Sequence, residues 1–278
     1  MIQDIAPHKL INSYDSSAHP QTGDHVLVFS NDKVLIRSGS DGTIVFPVVE
    51  MFAENYRNDM IYLFTVDGER YFLLADSDIS REGFEYFDMQ QVRKPGMQPQ
   101  YCVFILMTAV HLYRWYAGNR FCGRCGHRMI HDMNERAVIC PECGHKEYPR
   151  INPAVIVGVI NGDRLLLTKY RQGYRNNALV AGFTEIGESL EQTVEREVME
   201  ECGIKVKNIR YYKSQPWGIA ADILAGFYCD VDGDTEITMD ANELKEAHWV
   251  RREDIVLQET EYSLTNEMMK RFKEGLDC

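Results

Sequence analysis

The sequence predicts a mixed fold of class α+β or α/β, with a β-rich amino-terminal domain, a small metal-binding ribbon and a carboxy-terminal domain. Residues 1–118 contain strand-like runs joined by turn signals, and residues 119–150 contain two CxxC pairs. In residues 151–278, strand-like runs such as AVIVGVI and RLLLTKY are interleaved with a helical run. A length of 278 residues suits more than one domain.

Two turn dipeptides indicate hairpins in the amino-terminal domain. Residues 31–32 (Asn-Asp) stand between DHVLVFS and KVLIRS, and residues 67–68 (Asp-Gly) interrupt IYLFTVDGERYFLLA. A helix is predicted over about residues 100–116, because apolar residues recur there at helical spacing, and Gly118 ends it. We find no catalytic pattern in this domain, so a structural or dimerising role is expected.

The net charge of −12, from 30 basic and 42 acidic side chains, disfavours polyanionic partners such as nucleic acid or an anionic membrane. It suits a protein that holds metal cations through carboxylates. The apolar run from Tyr101 to Tyr113 is too short to span a membrane, and the start MIQDIAPHKLINSYD lacks the features of a signal peptide. We therefore expect a cytoplasmic protein with reduced thiols.

Four of the eight cysteines form a strong metal-binding pattern, namely Cys122, Cys125, Cys140 and Cys143. Two residues between the members of each pair let both sulfurs enter one tetrahedral site, which favours a structural Zn²⁺ with a closed shell. Reduced, metal-free cysteines are the alternative. Because the ribbon has no long basic run, we expect a spacer or a pocket wall here, not a reader of nucleic acid. The other four cysteines have no assigned role.

The segment AGFTEIGESLEQTVEREVMEECGI carries the strongest chemical signal. A capping box that begins at Ser189 and a glycine at position 203 predict a helix over residues 190–202. Glu197, Glu200 and Glu201 border its apolar stripe, where we expect them to be only partly solvated.

This clustering of glutamates needs a cation. Like charges four residues apart on a helix repel by ~0.2–0.5 kcal/mol per pair, and Arg196 is the only basic residue of the helix. Mg²⁺ or Mn²⁺, which prefer oxygen ligands, fit best. For an arbitrary helix of this kind, a solvated acidic face is the favoured alternative.

The residues around the helix decide between these interpretations, because they match a known box, G-x5-E-x7-R-E-U-x-E-E-x-G-U. The matching run is Gly182-x5-Glu188-x7-Arg196-Glu197-Val198-x-Glu200-Glu201-x-Gly203-Ile204. The sequence therefore resembles Nudix hydrolases, and the resemblance implies an α/β/α sandwich with a mixed sheet for residues 151–278. A CxxC ribbon ahead of the box, with the runs EYPRINPAVIV and GIKVKNIRYYKSQPW, is similar to the zinc-ribbon NADH pyrophosphatase (NAD diphosphatase) branch.

The resemblance implies a metal-dependent enzyme and assigns its parts. The expected reaction is hydrolysis of the pyrophosphate bond of NAD(H) to nicotinamide mononucleotide and AMP, with removal of NAD caps from RNA 5′ ends as a further activity. A homodimer is also implied. The Mg²⁺ or Mn²⁺ ligands are expected to be Glu197, Glu201, Glu243 and the carbonyl of Ala181, with Glu200 as a ligand or water activator. Glu188 and Arg196 are expected to buttress the loop and the helix.

The resemblance also places a substrate pocket. Phe183 is expected to stack on the nicotinamide ring, and the remaining lining residues are Glu135, Tyr148, Gln215, Pro216, Trp217 and Asp222. The branch typically continues SQPW with PFPxS, but here Gly218–Asp222 follows and Asp222 replaces a hydroxyl by a negative charge. ADP-ribose or another dinucleotide is therefore an alternative substrate. A nucleotide-sensing or RNA-binding module is a second alternative, although the intact box argues against it.

Overall fold

The chain, described here from a computed structural model over residues 1–75, 79–171 and 176–276, divides into two compact units. The first unit contains residues 3–150 and 218–221, and the second contains residues 1–2, 151–217 and 222–278. The two predicted domain boundaries, between residues 118 and 119 and between residues 150 and 151, stay predictions. Cys278 lies outside the described residues. No helix among the described residues is long and apolar enough to cross a bilayer.

The first unit is built on a seven-stranded sheet with the order β1-β5-β6-β2-β3-β4, in which β7 also pairs with β3. The strands are β1 (Leu10–Ile11), β2 (His25–Ser30), β3 (Lys33–Ser38), β4 (Ile44–Val45), β5 (Ile61–Val66), β6 (Glu69–Ala75) and β7 (Glu85–Asp88). Short 3₁₀ helices lie at Val49–Met51 and Glu54–Asp59. The sheet confirms a β-rich amino-terminal region.

Both predicted hairpins are present. Strands β2 and β3 pair up to Ser30 and Lys33, and strands β5 and β6 pair up to Val66 and Glu69. The two residues of each turn have positive φ, at 49° and 63° in residues 31–32 and at 53° and 87° in residues 67–68. These angles are those of the two-residue turns whose twist matches that of the flanking strands.

Two helices follow this sheet, α1 (Met89–Val92) and α2 (Gln100–Gly118). Helix α2 continues two residues beyond the predicted end and includes Gly118. Asn119 caps the helix, because its side-chain amide donates to the carbonyl of Trp115 at 2.8 Å. The ring of Tyr113 on α2 stacks on Phe29 of β2 at 4.7 Å between ring centres. The helix thus covers an apolar face of the sheet.

The predicted ribbon forms a small sheet with the order β10-β9-β8, composed of β8 (Ile130–His131), β9 (Val138–Ile139) and β10 (Lys146–Glu147). Hydrogen bonds join it to the amino-terminal segment within the same unit. The hydroxyl of Tyr14 donates to the carbonyl of Asp132 at 2.7 Å, and that of Ser16 donates to the carbonyl of Met133 at 2.6 Å. The ribbon is therefore joined to the amino-terminal segment and belongs to the first unit.

The second unit has a mixed six-stranded sheet with the order β14-β15-β11-β12-β16, in which β13 also pairs with β11. Strands β11 and β15 run parallel, and the other pairs are antiparallel. The edge strand β14 shifts register twice along β15. The elements are β11 (Asn152–Asn161), β12 (Arg164–Tyr170), β13 (Val180–Phe183), α3 (Leu190–Cys202), β14 (Val206–Trp217), β15 (Asp222–Val231), β16 (Leu244–Arg251), a 3₁₀ helix (Arg252–Asp254) and α4 (Leu264–Lys273).

Alternation along the central strands places one helix on each face of this sheet. The face packed against α3 includes Val155, Val157, Phe227 and Cys229. The opposite face, packed against α4, includes Ile156, Ile160, Leu224 and Tyr228. Since neighbouring residues of a strand point to opposite faces, both layers derive from the same two strands. This arrangement confirms the predicted α/β/α sandwich with a mixed sheet.

Gly203 allows α3 to end where it does. Its φ is +70°, and a Cβ built there would lie 2.9 Å from the Cβ of Thr238. We expect Gly203→Ala to lower the free energy of unfolding by about 1–3 kcal/mol, because left-handed backbone strain and this close contact add. Urea denaturation measures the change.

Gly162→Ala is the matched control, since φ at Gly162 is +62° and a Cβ there would have no heavy atom within 4 Å. Only the backbone cost of about 1–2 kcal/mol is expected for it. Equal losses in the two variants would contradict the role of the contact with Thr238.

Candidate active site and zinc centre

Helix α3 begins and ends where the sequence predicts. The hydroxyl of Ser189 accepts from the backbone N–H of Gln192 at 3.2 Å, and the side chain of Gln192 accepts from the N–H of Ser189 at 2.8 Å. Gly203 caps the other end in the left-handed conformation. Both caps depend on residues adjacent in sequence, which is why the sequence alone locates them.

The three clustered glutamates of α3 differ in burial. Glu197 is 8% exposed and Glu201 is 2% exposed, whereas Glu200 is exposed to solvent. The expectation that all three are partly solvated is therefore wrong for Glu200. Each residue of a helix is rotated by about 100° from the previous one, so Glu200 points away from the stripe that contains Glu201.

Arg196 connects most of the acidic side chains around α3. Its Nε donates to Glu188 at 2.6 Å, and its Nη1 donates to Glu197 at 2.7 Å and to Glu200 at 3.0 Å. Its Nη2 donates to the backbone carbonyl of Phe183 at 2.9 Å. One guanidinium thus joins β13, the loop after it and α3, in the fork geometry that suits carboxylates.

Glu188 is fixed as an acceptor between the loop and the helix. Besides Arg196, the hydroxyl of Thr193 and the backbone N–H of Glu185 each donate to it at 3.0 Å. The Arg196 guanidinium, together with these donors, lowers the pKa of Glu188 to about 2. The carboxylate is ionised and fully occupied by the protein, an arrangement that buttresses the loop.

Glu201 has the opposite electrostatic environment. Burial, followed by the charges of Glu197 and Glu243, raises its pKa to about 8. Its Oε1 accepts from the hydroxyl of Tyr170 at 3.3 Å, while its buried Oε2 has no hydrogen-bond partner among the described residues. A buried carboxylate oxygen without a donor is costly unless a cation or a proton satisfies it.

The backbone of β13 passes directly beside these carboxylates. Ala181 and Gly182 pair with β11, and a Cβ built at Gly182 would lie 1.9 Å from the carboxyl carbon of Glu197. The sequence singled out Gly182 as part of the box, and the structure supplies the reason: only glycine leaves space for the Glu197 carboxylate.

The loop before β16 docks on the end of α3. The backbone N–H of Asp240 donates to the carbonyl of Glu201 at 2.9 Å, and the N–H of Arg171 donates to the carbonyl of Glu243 at 3.0 Å. Glu243 itself is exposed, and its charge acts on both Glu197 and Glu201. The structure therefore brings the predicted ligands from β13, α3 and this loop to one region.

These groups can hold a divalent cation. Glu197, Glu201, Glu243 and the carbonyl of Ala181 offer oxygen donors, and the unpartnered Oε2 of Glu201 is the atom that a cation would satisfy. Arg196 holds Glu197 and Glu200 in this arrangement. Among the described residues, only the cysteine quartet already gathers three or more ligand atoms within 4.8 Å of one another.

The cysteine quartet fits zinc. The Sγ atoms of Cys125 and Cys143 are 3.4 Å apart, those of Cys125 and Cys140 are also 3.4 Å apart, and those of Cys122 and Cys143 are 3.6 Å apart. A tetrahedron with Zn–S bonds of about 2.3 Å separates its sulfurs by about 3.8 Å. The ligand distances therefore suit a structural zinc with four thiolates.

The two CxxCGH repeats make the same turn around this centre. The N–H of Cys122 donates to the carbonyl of His127, and the N–H of Cys140 donates to that of His145, each at 2.8 Å. Gly126 and its counterpart in the second repeat, at position 144, have φ of +78° and +69°. The histidine backbones thus shape the turns while cysteines supply the ligand set.

The predicted substrate residues lie in different places. Phe183 follows the box glycine and is 52% exposed. In the first unit, Glu135 accepts from the hydroxyl of Tyr148 at 3.0 Å and from Lys146 at 2.7 Å. Lys146 also pairs with Asp132 at 2.7 Å, so a lysine that the sequence did not single out orders this pair. The substrate roles stay predictions.

The SQPW segment and Asp222 lie at the paired ends of β14 and β15. Gln215 is fully buried, with its amide N–H donating to Tyr262 and its oxygen accepting from the N–H of Leu264 on the α4 side. Asp222 pairs with Trp217, and strand alternation from Leu224 places Asp222 on that same side. Burial raises the pKa of Asp222 to about 6. Pro216 is exposed and Trp217 is partly buried.

These positions separate Gln215 and Asp222 from the glutamates, which belong to the α3 side of the sheet. In this conformation both ends of the Gln215 amide are engaged by the backbone of residues 262–264. Sequence spacing could not reveal this, because the face that a strand residue occupies depends on register.

We expect the purified chain to contain one zinc ion, and Cys140→Ser to remove it, because the ribbon gathers few apolar residues and depends on the metal. Elemental analysis of the protein measures zinc content, and circular dichroism follows the fold. Cys102→Ala is the control, since Cys102 lies on α2. Retention of stoichiometric zinc by Cys140→Ser would contradict a four-thiolate site.

Comparison with known proteins identifies both regions. Residues 118–148 match the NADH pyrophosphatase zinc ribbon domain, and residues 150–272 match the NUDIX domain. The chain is 44% identical over 151 residues to the NAD-capped RNA hydrolase NudC of Escherichia coli O1:K1 / APEC, covering 53% of this chain and 58% of that protein. Its identity to the NudC of Citrobacter koseri is 42% over 173 residues, covering 61% and 66% of the two chains.

The chain thus spans 58% to 66% of the length of these relatives. Among solved structures, a NUDIX hydrolase from Nitrosomonas europaea is similar with a TM-score of 0.50 and 23% identity, over 56% of this chain and 90% of that one. That likeness supports the fold of the carboxy-terminal part. The chain therefore contains a zinc ribbon domain of the NADH pyrophosphatase type, followed by a Nudix domain.

Proposed function

We propose that the protein hydrolyses the pyrophosphate bond of NAD(H), giving nicotinamide mononucleotide and AMP, and that it also removes NAD caps from RNA 5′ ends. The observation that carries the proposal is the buried pair Glu197 and Glu201 beside Gly182, inside an intact box and behind a ribbon of this type. The names of the NudC relatives support the substrate. By the family resemblance, we further propose a cytoplasmic homodimer that uses Mg²⁺ or Mn²⁺.

The charges explain why the site needs a cation. Glu197, Glu200, Glu201 and Glu243 surround a position where the substrate would bring two further negative phosphates, and Arg196 is already occupied by three of the acids near it. When bound, Mg²⁺ or Mn²⁺ would neutralise the charge of the phosphate oxygens and lower the pKa of a coordinated water. The net charge of −12 is therefore no obstacle to an anionic substrate.

The chain's own groups then have separable tasks. Glu197 and Glu201 hold the cation, and Arg196 keeps Glu197 oriented through its 2.7 Å hydrogen bond. Glu200, the exposed carboxylate of the cluster, accepts a proton from the attacking water. The oxygen of that water forms a bond to phosphorus, the bridging P–O bond breaks, and the leaving mononucleotide departs with the bridging oxygen.

ADP-ribose is the second candidate substrate, and Asp222 is the reason to test it. The carboxylate stands where the branch has a hydroxyl, and its Oδ1 is buried without a hydrogen-bond partner among the described residues. Because Asp222 lies on the α4 side of the sheet, it leaves the glutamates of the box unchanged. The link between this substitution and substrate choice comes from the family resemblance, whereas the glutamates that serve hydrolysis are unchanged.

A steady-state assay with NADH, NAD, ADP-ribose and an NAD-capped RNA tests the substrate. We expect NADH to give equal amounts of nicotinamide mononucleotide and AMP, and the capped RNA to give nicotinamide mononucleotide and a 5′-monophosphate end. Chromatography identifies the products. A higher kcat/KM for ADP-ribose than for NADH would move the assignment to the second candidate, and cleavage at any other bond would refute the reaction.

Glu201→Gln tests the carboxylate. We expect kcat to fall by at least about 100-fold, because the amide cannot supply an anionic ligand, while the fold persists. Glu195→Gln is the matched control, since Glu195 is an exposed glutamate on the same helix. Activity within a few-fold of the parent protein in Glu201→Gln would argue against its role as a ligand.

A further inference from the structure

We propose that Tyr170 is a positioning residue that sets the affinity of the site for its divalent cation, by holding the side chain of Glu201 and the carbonyl of Ala181 around one hydroxyl. This inference rests on the proposed function, because it assumes that these two oxygens are ligands. Tyr170 is not part of the Nudix box, and it lies 31 residues before Glu201 in the sequence.

Regular alternation along β12 brings Tyr170 to this place, because Leu166 lies in the cluster against α3, whereas Leu165 and Leu167 lie in the cluster against α4. Along β12 and β16, Lys169 pairs with Glu246 and the next residue, Tyr170, pairs with Leu244, so Lys245 is left out of the ladder. The extra residue of this β-bulge belongs to β16, the strand that follows Glu243, and bulges occur often beside active sites. Here the last residue of β12 has its aromatic ring against the apolar cluster that also receives α3.

The Tyr170 hydroxyl stands between the two expected ligands. It is 3.3 Å from Oε1 of Glu201 and 3.5 Å from the carbonyl oxygen of Ala181. Burial, with the charge of Glu201, raises the pKa of Tyr170, so the group is a neutral O–H donor. Both distances exceed the about 2.7–2.8 Å typical of O–H···O bonds. The two acceptors therefore converge on one donor and retain space to move toward a cation.

The residue after Tyr170 fixes the backbone that carries a third expected ligand, Glu243. The backbone N–H of Arg171 donates to the carbonyl of Glu243 at 3.0 Å, and its guanidinium donates to the carbonyl of Ala241 at 2.6 Å. The end of β12 thus contacts the groups from β13, α3 and the loop before β16. A single dipeptide therefore contacts two expected ligand oxygens, of Glu201 and Ala181, and the backbone that carries the third.

Such ordering stabilises cation binding. Without this donor, the carboxylate of buried Glu201 would lose an interaction that fixes its orientation, and cation binding would have to supply the restriction. Partners that orient metal ligands typically change metal affinity or activity by about 10–100-fold when they are removed. Phenylalanine keeps the ring of Tyr170 and removes only the hydroxyl, so Tyr170→Phe isolates this contribution.

The test measures Mn²⁺ binding to the zinc-loaded, full-length protein by electron paramagnetic resonance of free Mn²⁺, without substrate. We expect Tyr170→Phe to weaken binding about 10-fold. In turnover, we expect the half-saturating Mn²⁺ concentration to rise by the same factor, with kcat at saturating Mn²⁺ within about two-fold of the parent protein. Thermal unfolding of each variant reports on the fold.

Tyr212→Phe is the matched control, because the hydroxyl of Tyr212 donates to Glu267 of α4 at 2.9 Å. We expect this variant to bind Mn²⁺ like the parent protein. Suppose that Tyr170→Phe binds Mn²⁺ as tightly as the parent protein while Glu201→Gln loses binding. That result would overturn the role of Tyr170 and leave the proposed function standing. Parental affinity in Glu201→Gln would remove the metal site itself and both proposals with it.

Discussion

The arrangement of α3 and the loop before it, in the second unit, depends on one positively charged side chain, that of Arg196, among several carboxylates. Arg196 is the only basic residue of α3, and its guanidinium is shared by Glu188, Glu197, Glu200 and the carbonyl of Phe183. Without it, buried Glu197 would lose its partner, and removal of one member of a buried charge pair is strongly destabilising. The same side chain connects the box loop to the helix. A structural requirement and the geometry of the candidate metal site therefore meet in one residue.

The sequence predicted local features well. The bounds of α3, its capping box and the two hairpin turns depend on neighbouring residues, and all are present. The zinc ligands followed from spacing in the same way. Contacts between residues far apart in the sequence could be found only from the structure. Tyr170 on β12 contacts Glu201 on α3, 31 residues later in the sequence, and no local pattern in the sequence indicates that these two residues meet.

Burial and register also explain the remaining differences. Helical spacing predicted that three glutamates lie along the border of the apolar stripe. Glu200 is nevertheless exposed, because successive helix residues are rotated by about 100° and Glu200 points away from the stripe that contains Glu201. The family resemblance assigned the SQPW segment to the substrate pocket, and that assignment stays a prediction. In the sheet, Gln215 faces α4, and its amide binds the backbone there. A strand has two faces, and sequence order does not distinguish them.

The irregular edge strand β14 has a consequence for solubility. It is twelve residues long and forms one side of the sheet, so its outer backbone groups could template the addition of a strand from another chain. Two register shifts bend it, Lys207 and Lys213 add charge, and Pro216 removes one donor. These features oppose the edge-to-edge pairing of sheets that begins fibrillar aggregation.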